Sequence, residues 1–143
     1  MSAVFIRGNT AQVATGTALK TIMQIFAVAN HRIRVPVISI SFEGVSATDA
    51  PIQVDIYRQT TAGTMTSLTL AKDNDGDDET IQTTAQHTAT VEPTKTDLLM
   101  SRLVHPQGRA DFGPFIVKGG GRIGIMVTAP NAVDCVVSAL IEE

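Results

Sequence analysis

The chain has no tryptophan, a single tyrosine and aromatics at only 4% of its positions. Base-stacking platforms and aromatic sugar-binding walls are therefore poorly supplied. It has one cysteine, Cys135, so no internal disulfide can staple it, and a buried small hydrophobe is the ordinary reading of such a residue among valines. Basic residues number 11 against 14 acidic ones, for a net charge of −3, and they are scattered. Backbone binding to nucleic acid needs clustered Lys and Arg, so no nucleic-acid partner is expected. The densest basic group, His31, Arg32 and Arg34, stands at a strand start and reads as a solvated edge. No apolar run approaches the roughly 20 residues of a membrane-spanning helix, and the first residues lack a basic stretch followed by an apolar one. A soluble, unexported chain is the expectation.

What is present is a β vocabulary. At 143 residues one domain is expected, burying roughly 68–70% of the unfolded chain's surface. Threonine, valine, isoleucine and alanine dominate the composition, and β-branched residues favour strands. Near the C-terminus, Ile123, Ile125, Val127 and Ala129 fall on one face, and Val133, Cys135, Val137, Ala139 and Ile141 on another. This period of two marks strands. Pro130 and Asn131 between them supply turn chemistry, so the pair reads as a hairpin.

The same grammar recurs upstream. Ile52, Val54 and Ile56 alternate with polar residues in a half-buried strand. Residues 32–42 form a long strand whose apolar face switches near Pro36, where an edge or a bulge is expected. Residues 18–28 suit a short helix or a strand, and the absence of a cap and of charged helical pairs favours the strand. Further strands are expected over 67–71, 83–91 and 98–104, with a looser connection over 106–114. The expected fold is all-β: a single sandwich or jelly roll of about eight or nine antiparallel strands over 18–143. Residues 1–17 precede it as an N-terminal arm or edge strand.

Chemistry is sparse. Asp73, Asn74, Asp75, Asp77, Asp78 and Glu79 concentrate oxygen ligands around Gly76, yet placing Gly76 at the sixth position of a calcium loop puts Ala71 first and Gln82 twelfth. A solvated acidic loop is the plainer reading, and no metal is assigned. His31, His87 and His105 share no ligand spacing with each other or with Cys135. Nothing around Cys135 builds a nucleophile's elbow or an oxyanion site, so no catalytic residues are assigned and no cofactor is expected. Gly119, Gly120 and Gly121 precede Arg122 without the lysine and helix of a phosphate loop, and read as a turn feeding a strand. The apolar triplet Val4, Phe5 and Ile6, followed by Arg7, must pack on its own sandwich or extend onto a partner's sheet edge. These four residues are the candidate partner-binding set.

Four segments together resemble a known group: residues 32–48, with Ile40-Ser41-Phe42-Glu43-Gly44; residues 54–64, with Arg58-Gln59-Thr60-Thr61-Ala62-Gly63-Thr64; residues 83–93, with Thr84-Ala85-Gln86-His87-Thr88-Ala89; and residues 119–130. The chain resembles the jelly-roll capsid decoration, or cement, proteins of tailed bacteriophages. That resemblance implies a noncatalytic virion protein on the capsid surface, made in the host cytoplasm. It would be a homotrimer that clamps neighbouring major capsid proteins, with residues 1–17 as an intersubunit arm. The rival readings are a tail, fibre or head-fibre-base component of similar fold, and a carbohydrate-binding module using the 73–79 loop with calcium.

Overall fold

The computed structural model describes residues 4–43 and 50–143. Met1 to Ala3 of the expected arm, and Gly44 to Thr48 of the first resembling segment, lie outside the described residues. Among the described residues there are thirteen strands and no helix: β1 (Phe5–Asn9), β2 (Val13–Ala14), β3 (Lys20–Phe26), β4 (Ile33–Phe42), β5 (Ile52–Gln59), β6 (Thr64–Leu68), β7 (Ala71–Lys72), β8 (Thr84–Val91), β9 (Lys95–Val104), β10 (Arg109–Phe112), β11 (Phe115–Val117), β12 (Arg122–Thr128) and β13 (Asp134–Glu142). The expectation of eight or nine strands was low because β2, β7, β10 and β11 span only two to four residues each. Such short runs carry too few alternations to register as strands.

Two antiparallel sheets form a sandwich. One runs β10-β4-β13-β1-β7, with β11 continuing alongside β4 and β2 alongside β13; the other runs β6-β8-β3-β12-β5-β9. Among the described residues, no strand pairs with its neighbour in the chain. The chain instead crosses between sheets after β2, β3, β4, β6, β7, β9, β11 and β12. The expected hairpin of β12 and β13 is accordingly corrected. β12 lies between β3 and β5, β13 lies between β4 and β1, and the turn at Pro130 and Asn131 passes from one sheet to the other. Alternation fixes which side chains face the core but not which strand is the partner. The inward faces do match the expectation: Ile123, Ile125, Val127, Ala129, Cys135, Val137 and Ile141 are all at most 1% exposed.

β4 shows why its apolar face switches. Against β13, the register steps from Leu140↔Val37 to Glu142↔Arg34, so β4 holds one extra residue next to Pro36. A bulge of this kind reverses side-chain parity. It lets Ile33 and Val35 on one side, and Ile38, Ile40 and Phe42 on the other, all point into the core. Proline, with no N–H to donate, fits this gap in the ladder. On the other flank Gly113 (φ 134°) separates β10 from β11, and a Cβ there would lie 2.5 Å from the Pro36 carbonyl oxygen.

The N-terminal segment is stitched into the first sheet. β1 pairs along β13 from Phe5↔Glu142 to Asn9↔Ser138. Beyond it, buried threonines repair the ladder: Thr10 N–H donates to the Val137 carbonyl (2.9 Å), and Val137 N–H donates to Thr10 Oγ1 (3.0 Å). Thr15 makes the same pair of bonds with Val133 (2.9 and 3.2 Å). The weakly periodic Gly, Asn and Thr stretch is therefore ordered by hydroxyls that stand in for backbone partners.

Candidate interaction surfaces

Val4 and Ile6, at 5% and 0% exposure, pack into the protein's own core, while Phe5 is 40% exposed. Arg7 Nε donates to Asp73 Oδ1 at the root of the acidic loop. Of the four candidate partner-binding residues, only Phe5 and Arg7 therefore present side chains outward. The loop organises itself: Asn74 Oδ1 accepts from Gly76 N–H (3.1 Å), Asn74 Nδ2 donates to Asp77 Oδ1 (3.1 Å), and Lys72 Nζ donates to the Asp77 carbonyl (2.7 Å). Among the described residues, no group of three or more His, Cys, Asp and Glu side chains is gathered as metal ligands, and no helix is long and apolar enough to cross a membrane.

Cys135 is 1% exposed, with its thiol donating to the Val13 carbonyl (3.4 Å). Burial pushes the thiol up to about 12, helped by the nearby Asp134 charge. His87 contacts Thr88 Oγ1 through Nδ1, in β8 of the sheet that does not contain Cys135. Gly119, Gly120 and Gly121 form the expected turn, which carries the chain from β11 in one sheet to β12 in the other. Gly120 (φ 78°) donates its N–H to the Ala27 carbonyl at 2.9 Å.

Sequence reasoning missed a different surface. β9 is the edge of one sheet, β10 and β11 form the edge of the other, and the two edges lie on the same flank. Arg58 Nη1 reaches the Ile116 carbonyl across the flank (3.4 Å), and the Arg102 guanidinium sits 5.3 Å from the Phe112 ring centroid. The opposite flank ends in the short β6 and β7. Among the described residues, the open flank holds three of the five exposed large apolar ones: Leu98 (50%), Leu103 (69%) and Ile116 (54%). Its charges are Arg58, Lys95, Arg102 and Arg109 against Asp97 and Asp111. Four cations less two carboxylates make it locally positive in a chain whose net charge is −3.

A cleft of about 440 Å³ opens between the edges, lined by Arg102, Leu103, Arg109 and Asp111 among others. Asp111 is held below its ordinary carboxylate value, chiefly by the hydrogen bond from Ser39 Oγ (2.6 Å) and then by the charge of Arg109. β9 steps out of register with β5 twice, between Ile56 and Tyr57 and between Tyr57 and Gln59, each time holding an extra residue. Bulges blunt an edge against continuous strand addition, so this flank offers side-chain contacts in preference to an unbroken ladder. In the sequence, the only hint was charge amid the apolar run, at Lys95, Asp97 and Arg102.

A second locus lies on the outer face of the β6 to β9 sheet. β8 bends at Thr88 (φ 57°), rare for a β-branched residue, and leaves β3 after the Met23↔His87 pair. The Thr21 N–H is then taken by Glu92 Oε1 at 2.7 Å. Beneath this crossing lies a buried amide layer. Gln24 Nε2 donates to Gln59 Oε1 (2.7 Å) and the Thr61 carbonyl (2.9 Å), and Gln59 Nε2 donates to Thr21 Oγ1 (3.0 Å). Arg122 Nη1 donates to Gln24 Oε1 (3.2 Å), and its guanidinium stacks 4.1 Å from the Phe26 ring centroid.

No protein-family model, no curated protein and no solved structure matches the chain.

Proposed function

We propose that this protein is a noncatalytic structural component of a tailed-phage virion, a jelly-roll decoration protein that binds the outer surface of the capsid. Its partner in this reading is the major capsid protein, and its working form is a homotrimer. The observation that carries the proposal is the open flank: two sheet edges side by side, with Leu98, Leu103 and Ile116 exposed within a net positive frame. Apolar anchors beside charged groups, here Leu98 and Leu103 on one edge and Ile116 on the other, are the mixture found at protein interfaces. The resemblance of the four sequence segments supplies the identity of the surface to which it docks.

The physics suits the role. A decoration protein must hold a repeating shell, and three linked copies of a modest contact multiply effective affinity without any single contact being strong. A sandwich whose described strands pair only with strands that are not their chain neighbours keeps each contact patch in fixed geometry, because peeling one strand breaks pairings with segments distant in sequence. The locally positive flank favours an acidic partner and speeds encounter at low salt. The test is the solution mass of the purified protein, followed by its pelleting with expanded, undecorated heads of a phage that encodes it. Saturable pelleting by a trimer supports the proposal; a monomer that stays in the supernatant at all salt concentrations refutes it.

A further inference from the structure

The outer-face cleft over the amide layer holds more than packing requires. It has a volume of about 160 Å³ and is lined by Gln24, Phe26, Thr84, Gln86 and Arg122 among others, which is room for roughly five waters at ~30 Å³ each. Gln86 pairs with Gln24 across β3 and β8, so its side chain shares that face. Gln86 Oε1 is buried and has no hydrogen-bond partner, the only such side-chain atom among the described residues. A buried polar atom left unpaired keeps its full desolvation penalty unless something outside the chain satisfies it. Arg122 is also underused. It spends one hydrogen bond on Gln24 and faces Phe26, and among the described residues it has no carboxylate partner. A guanidinium carries five N–H donors in a fork suited to a carboxylate.

Beyond the capsid reading, and independently of it, the geometry points to a binding site for a small hydroxycarboxylate in this cleft. The carboxylate would lie against the Arg122 fork, and the hydroxyl against the Gln86 amide. A hydroxyl is the apt group because it both donates and accepts. It therefore satisfies Gln86 whether the oxygen or, with the amide turned over, the nitrogen faces the cleft. The lining includes no carboxylate to repel an anion. One chemistry has two natural sources here: a free hydroxy acid, or the acid-bearing ring of an acidic sugar.

The test is an NMR titration of the intact protein with glycolate, with glucuronate and with acetate. Side-chain amide signals of Gln24 and Gln86 and the Nε–H signal of Arg122 serve as the readout. Glycolate or glucuronate should shift those signals with saturation at millimolar concentration, several-fold tighter than acetate, which lacks the hydroxyl. The tighter of the two identifies the source. Gln86→Leu should bring the hydroxy acid down to the affinity of acetate, a loss of roughly three- to tenfold for one hydrogen bond. Equal binding of acetate and glycolate, or shifts scattered over the surface with none at these three residues, would overturn the inference and leave the cleft to ordered water. Because the wild-type titration decides between these outcomes, poor folding of the variant does not rescue it.

Discussion

Gly124 lies in mid-strand where any side chain would cost, and the cost can be worked out from its neighbours. A Cβ at this position would sit 2.4 Å from Gln59 Oε1, 2.6 Å from its Cδ and 2.7 Å from its Nε2. Carbon contacts settle at about 3.5–4.0 Å, so the Gln59 amide must move by about 1 Å. Gln59 is 3% exposed and bonded to both Gln24 and Thr21, so moving it breaks two buried hydrogen bonds. Each contributes about 1 kcal/mol net, and stranding the buried groups adds about 1–3 kcal/mol. Against this stands about 0.4–1 kcal/mol from restricting the unfolded chain. Gly124→Ala should therefore lose about 2–5 kcal/mol, read from urea unfolding midpoints at constant m-value. Gln59→Ala removes the obstacle, and in that background Gly124→Ala should be neutral or slightly stabilising. A neutral Gly124→Ala in the native background, or an equal penalty in both backgrounds, refutes the argument, since contacting residues must be coupled.

Other expectations follow from the same structure. The Cys135 thiol, raised to about 12 by burial, should resist alkylation at pH 8 in the folded protein and react promptly in urea. A folded-state value above the ordinary 9.0 means the native state holds its proton longer than the unfolded chain. This contribution to stability is present below about pH 9 and declines as pH rises toward about 12. Asp111 has the opposite sign: its contribution is present above the ordinary value of 3.8 and is lost as pH falls through its lowered folded value. Ser39→Ala should move Asp111 upward toward 3.8 in an NMR pH titration, and an unmoved titration would show that the Ser39 bond is not the main cause. Because no chain-neighbouring strands pair among the described residues, refolding should run in milliseconds to seconds, as non-local β topologies do. Microsecond refolding in stopped-flow dilution would contradict the topology.

Much of this architecture was legible in the residues themselves. The inward sets Ile123, Ile125, Val127 and Cys135, Val137, Ile141 follow directly from alternation, and Pro36 announced the bulge that reconciles the two apolar faces of β4. Partnership was not legible. Pro130 and Asn131 have the composition of a hairpin turn, yet a crossover between two sheets uses the same turn chemistry, and only the rest of the core decides between them. The short β10 and β11 escaped notice because Gly113 and Pro114 interrupt them, although both lie against β4. At the surface, Val4 and Ile6 had the composition of a contact arm and proved to be core, because alternation within β1 leaves only Phe5 and Arg7 outside. Leu98 and Leu103 read as ordinary strand residues, since an edge differs from an interior strand by what is missing beside it. Gln86 meets Gln24 and Arg122 from 62 and 36 positions away, and Gly124 leaves room for Gln59 from 65 positions away, so neither feature has a local signature.

In the proposed role the protein docks through the flank bearing β9, β10 and β11. The most direct measurement compares pelleting with expanded, undecorated heads for two variants with native circular dichroism: Leu98→Lys with Leu103→Lys, and Phe5→Ser on the other side of the molecule. Exposed apolar side chains contribute little to the fold, so both variants should remain folded. The Leu98 and Leu103 variant should stay in the supernatant while the Phe5 variant pellets as the native protein does. Native binding by the former with loss by the latter would contradict it and return the contact to the N-terminal segment.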